Sequence, residues 1–120
     1  MLPTINQALG MLDTVLKSLP GMSEKVFHIE AFQQEENYIV WQEDGQAGDT
    51  DEADNAAIRQ TITGTVDYYT QTEFDTMVST IQKAMTDGGI AWELNSIQHE
   101  TDTGYSHYEW TFELEVDPHG

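Results

Sequence analysis

His28 with Glu30, and His107 with Glu109, place an imidazole and a carboxylate two residues apart, on one face of any strand that carries them. Such a pair can seed a zinc or manganese hydrolase site or act as a general base, since these ions take imidazole nitrogen and carboxylate oxygen. No third ligand stands in register: His99 and Glu100 point to opposite faces, and no H-E-x-x-H occurs. Asp49, Asp51 and Asp54 suggest a calcium loop, because carboxylates at alternate positions can wrap a hard cation. The spacing fails. With Asp49 as position one, Ala53 takes the fifth position, Asp54 stands where glycine must make the turn, and Gln60 replaces the bidentate glutamate. There is no cysteine, no G-x-S-x-G, no phosphate-cradling glycine loop and no lysine placed as a nucleophile. The expectation is a protein that is not an enzyme, with no catalytic residue, no metal site and no cofactor, whose histidines and acids line polar outer strand faces.

Trp41, Trp92, Trp110, Tyr68, Tyr69, Tyr105 and Tyr108 are many large aromatics for 120 residues and could form a ligand platform. Four Lys/Arg against 22 Asp/Glu give a formal charge of −18, so nucleobase stacking lacks its electrostatic half and a grip on duplex phosphates is excluded. These rings are expected in the core and in an oligomer interface. Leu, Ile, Val and Phe make up about a fifth of the chain, close to the ~20% below which highly charged sequences stay disordered. No apolar run approaches the ~18 residues of a membrane span, and no signal-peptide pattern opens the chain. A soluble protein of cytosolic manufacture is expected.

The length predicts a single domain over 1–120. Ile5, Leu9, Leu12, Leu16 and Leu19 recur at steps of four and three, an apolar stripe on an N-terminal helix within 1–22 that Thr4 and Gln7 can cap. Within that segment the formal charges are Asp13 and Lys17 alone. Gly10 costs the helix ~1 kcal/mol against alanine and marks an expected close contact. From Lys25 to Phe32 the period is two, and Gln33–Asn37 reads as a hairpin loop into a second strand, Tyr38–Trp41. Glu43, Asp44, Asp49, Asp51, Glu52 and Asp54 stand with no base among them, which reads as an acidic flexible loop, its centre spanning 45–56. Ala57–Tyr69 alternates as a third strand, with Gly64 suited to a bulge or bend.

Thr70-Gln71-Thr72-Glu73 is a capping-box pattern before Phe74, Met77, Val78, Ile81 and Met85, one face of a second helix. After Gly88-Gly89, Ala91–Glu100 and Tyr105–Val116 flank a turn and should pair as a hairpin. Trp110, Phe112 and Leu114 should face the helices, under Phe74, Val78 and Ile81. The predicted fold class is α+β: a single antiparallel sheet of about five strands with two helices packed on one face, in the order α-β-β-β-α-β-β.

Three blocks of the sequence matter together: Tyr38–Asp44, Thr63–Thr70 and His99–Trp110. They resemble the tail terminator (tail completion, minor tail) proteins of long-tailed phages and prophages of Gram-positive bacteria. The likeness covers roughly Val26 to Val116 and follows that family's order of strand pair, acidic loop, strand into helix, and closing hairpin. It implies a structural virion protein that forms a ring, usually a hexamer of copies of itself. The ring caps the tail tube, meets the major tail tube protein and joins it to the head-completion or connector protein. The implied location is the tail or neck of the virion, after synthesis in the bacterial host cytoplasm. The resemblance carries no active-site residues, and the acids Glu43, Asp44, Asp49, Asp51, Glu52 and Asp54 are the candidate partner and oligomer contacts. The charge alone also suits an acidic decoy, either a DNA mimic or an immunity protein that binds a basic partner.

Overall fold

Thr4 and Gln7 close the predicted capping box. The Gln7 amide donates to Thr4 Oγ1 at 3.1 Å and the Thr4 amide to Gln7 Oε1 at 3.0 Å, so helix α1 runs Ile5–Lys17. Ala8, Leu12 and Leu16 are buried beneath it, and Leu19 and Met22 extend the buried stripe past its end. The computed structural model describes residues 1–32, 34, 36–47, 51–53 and 56–119, with the backbone alone at 51–53 and 56–58.

Strands β1 (Val26–His28), β2 (Tyr38–Gln46), β3 (Asp51–Ala53) and β4 (Ala56–Thr70) precede helix α2 (Met77–Asp87); β5 (Ala91–His99) and β6 (Ser106–Val116) follow it. Five strands form one sheet in the order β1-β2-β4-β6-β5, and β3 pairs with the start of β4 off that path. The sheet is antiparallel except at one edge, and with its two helices the fold is α+β as expected.

The edge is where expectation and structure part. β1 stops at His28, because Ile29 takes a positive φ of 78° and turns the chain away. The chain returns to lay β2 parallel to β1, with Val26 opposite Ile39 and His28 opposite Trp41, so no antiparallel hairpin joins them. The acidic stretch is not simply a loop either. Glu43–Gln46 continue β2 against β4, and Asp51–Ala53 form β3, which pairs with residues 56–59. The observed order is therefore α-β-β-β-β-α-β-β.

Alternation along β4 and β6 puts Ile62, Val66 and Tyr68, and Trp110, Phe112, Leu114 and Val116, on the helix side, all buried. Gly64 sits opposite Phe112, and a Cβ there would come within 2.5 Å of the Phe112 ring and collide with the Gln42 carbonyl. The glycine makes room for a core aromatic; the bulge lies across from it in β2, between Glu43 and Gly45. Gly10, by contrast, has no atom within 4 Å of where its Cβ would stand, so the close contact expected there is absent.

Helix α2 starts later than its sequence pattern suggests. Thr70 is the last residue of β4, and Phe74, expected in the core, is 90% exposed with φ 54°. Asp75 replaces the expected box: its Oδ1 accepts from the Met77 amide at 2.9 Å, and its Oδ2 from Tyr68 Oη at 2.6 Å and Thr70 Oγ1 at 2.7 Å. Ile81 and Met85 are buried and Val78 packs against the same core, as expected.

Candidate interaction surface

The two faces of the sheet differ in kind. Among the described residues every buried strand side chain projects toward the helices, and none on the opposite face is fully buried. On that outer face the register sets Tyr38 beside Tyr69 and Tyr69 beside His107, on three adjacent strands. Their rings stack, 4.6 Å apart between Tyr38 and Tyr69 and 4.3 Å between Tyr69 and His107. Tyr105 meets Tyr38 edge-on, and its hydroxyl donates to the Gln34 and Glu36 carbonyls, tying those two residues to the end of the sheet. Burial, and then the negative charge of Asp67, pushes the Tyr69 hydroxyl up to about 12.

Asp67 anchors the row: its Oδ1 lies 2.8 Å from His107 Nε2, with both side chains about one-sixth exposed. Glu109 accepts from Asn95 Nδ2 at 2.5 Å, and Thr63 Oγ1 donates to Asp44 Oδ1 at 2.9 Å. Glu93, Glu113 and Glu115 add exposed carboxylates to the same face. Planar ring faces among carboxylates suit contact with a protein surface or a cationic side chain.

The expected pairs of His28 with Glu30 and of His107 with Glu109 give way to partners across the strands: β1 ends at His28 and the turn at Ile29 takes Glu30 out of the strand, while across the β4–β6 ladder Asp67 stands within reach of His107. His107 takes Asp67, and His28 takes Glu43, with Nε2 2.6 Å from Oε1. His28 also stacks on Trp41 at 4.2 Å, in a cleft of 420 Å³ between α1 and the sheet edge. There Trp41 Nε1 donates to Asp13 Oδ1 at 3.1 Å, and Lys17 bridges Asp13 at 2.8 Å. Burial pushes the Glu43 carboxyl up, but the hydrogen bonds from His28 and its own backbone outweigh this and hold it below the ordinary glutamate value. Among the described residues no group of three or more His, Cys, Asp or Glu side chains converges as a metal site would require.

Of the six candidate acids, the two whose side chains are described, Glu43 and Asp44, do not share a face. Glu43 faces the α1 cleft and Asp44 the outer face, Asp51 and Glu52 belong to β3, and Asp49 and Asp54 lie outside the described residues. No protein-family model matches the chain, and no curated protein matches it. What the sequence reading missed is a polar network at the end of the sheet. Asn37 Nδ2 donates to Tyr68 Oη at 2.9 Å, Lys25 Nζ to Asn37 Oδ1 at 3.2 Å, and the Tyr68 hydroxyl donates in turn to Asp75 Oδ2 at 2.6 Å. The alternation of β4 marks Tyr68 as inward-facing, and an inward tyrosine hydroxyl needs a partner. That signal could have pointed to Asp75.

Proposed function

We propose that the chain is a structural assembly protein, a tail terminator whose copies form a ring of six. The ring would cap the tail tube, contact the major tail tube protein and join it to the head connector. The observation that carries this reading is a sheet with helices on one side only, whose other side bears three rings stacked in register across three strands. A small domain with an aliphatic content this low gains stability by covering such a surface with protein, and closed rings of identical subunits do so without a second gene product. The resemblance of Tyr38–Asp44, Thr63–Thr70 and His99–Trp110 to tail terminators points the same way. The test is the mass in solution by size exclusion with light scattering, and electron microscopy of concentrated protein. Rings of a single size are expected.

The acidic outer face also favours a second reading, an acidic decoy that binds a basic protein. That reading requires a monomer or dimer at all concentrations and tight, salt-sensitive binding of a basic partner, so the same measurements separate the two.

A further inference from the structure

Phe74 is a large aromatic held away from its own core. It is 90% exposed, and its φ of 54° lies in the left-handed region that a bulky residue enters at a cost. The turn around it is clamped on both sides. The Thr72 amide donates to Thr70 Oγ1 at 3.1 Å, and Asp75 is held by Tyr68, Thr70 and the Met77 amide. A rigid turn that presents one exposed phenyl ring has the form of a knob.

The other end of α2 carries an unfilled hollow. Pro3, Gly10, Met11, Thr14, Val15 and Gly88 line an apolar groove of 650 Å³ along the outward face of α1. Gly10 weakens α1 as any mid-helix glycine does, yet its Cβ position is open, so nothing inside the subunit requires a glycine there. No charged residue lines the groove, in a chain that carries −18. Like-charged copies approach at least cost where both the surface and its surroundings are neutral, and residues 1–22 hold only Asp13 and Lys17. Lys83 borders the adjoining hollow beside Val15 and is ion-paired there to Asp87 at 2.7 Å, so that hollow carries no net charge toward an approaching copy.

We infer that Phe74 of one copy inserts into the α1 groove of the next, a contact that rests on the assembly reading above and gives it a geometry. Knob and groove stand at opposite ends of an eleven-residue helix, about 16 Å long at 1.5 Å per residue. One copy can therefore fill a neighbour's groove while a third fills its own. That is a heterologous contact, the kind that generates a ring where the rotation between copies closes. Gly10 keeps the groove clear, and the left-handed turn keeps the ring outside.

Two variants leave the subunit's own core intact. Phe74→Gly relieves the positive φ and Gly10→Leu restores a side chain to the helix, so each should raise the thermal unfolding midpoint of the monomer. Each should also remain monomeric by sedimentation at concentrations where the parent is fully assembled. Mixed in equal amounts they should form one-to-one dimers that grow no further, because Phe74→Gly retains its groove and Gly10→Leu retains its knob. Assembly of either variant to the parent's size would overturn the inference while leaving the ring reading in place, as would a mixture that stays monomeric. A parent that is monomeric throughout would instead overturn the ring reading itself.

Discussion

Phe112 and Gly64 fit against each other across β4 and β6, and each constrains the other. Phe112→Ala should lower the unfolding free energy by ~3–5 kcal/mol in urea titrations, since it empties the centre of the helix side of the sheet. Gly64→Ala should cost ~1–3 kcal/mol, because the new methyl group meets the Phe112 ring and a backbone carbonyl that cannot both withdraw. The Tyr68–Asp75 pair adds a pH dependence at both extremes. Burial pushes the Asp75 carboxyl up, but hydrogen bonds from Tyr68, Thr70 and the Met77 amide hold it below its ordinary value. A depressed folded pKa stabilises above the unfolded value of ~3.9 and is lost as pH falls through the folded one. Asp75→Asn should therefore flatten the loss of stability below about pH 4. Burial, reinforced by Asp75, pushes Tyr68 up to about 12, and Tyr69 reaches the same value. The folded state then holds protons that the unfolded chain releases, so stability should fall between pH 10 and about 12, and tyrosinate absorbance should show Tyr68 and Tyr69 titrating late, with Tyr38 also held above its ordinary value by burial.

Among the elements, α1 was the most legible. Its cap, its stripe and its end all lie within twenty residues and depend on nothing distant. The β5–β6 hairpin and the inward phase of β6 were legible for the same reason. The start of α2 was not, because Thr70-Gln71-Thr72-Glu73 satisfies a local capping pattern whose first threonine the sheet takes as the end of β4. The parallel edge was hidden too: a polar run between two strand-like segments looks the same whether the chain reverses or loops back, and only the turn at Ile29 decides. Of the candidate acids, composition identified the region and not its pairing, so the division of Glu43 and Asp44 between two faces could not be read. β3 pairs with β4 alone, off the path of the five-stranded sheet. Replacing 46–53 with a short Gly-Ser turn should accordingly leave the thermal midpoint of the monomer nearly unchanged. It should also abolish attachment to tail tubes in a reconstitution assay, if Asp49, Asp51 and Glu52 make that contact. A large fall in the midpoint would place the segment in the core.

For the molecule as a whole, −18 on a small chain sets the conditions of assembly. Copies repel over the ~10 Å screening length of 0.1 M salt, so the assembled fraction measured by light scattering should rise as salt is added. A steady fall with salt would mean that specific ion pairs hold the subunits together. The molecule measures 54 × 25 × 24 Å, and β4, fifteen residues long, belongs to both its body and its β3 extension. It is flanked by β2 on one side and β6 on the other, with ladder bonds along eleven consecutive pairs to β6 alone. A pull on the extension along the strand direction would thus meet many hydrogen bonds side by side, all of which must slide together, and could not part them one after another as a zipper parts. The long strand that the extension shares with the body acts as a spar, and a subunit built around it transmits tension along many bonds at once.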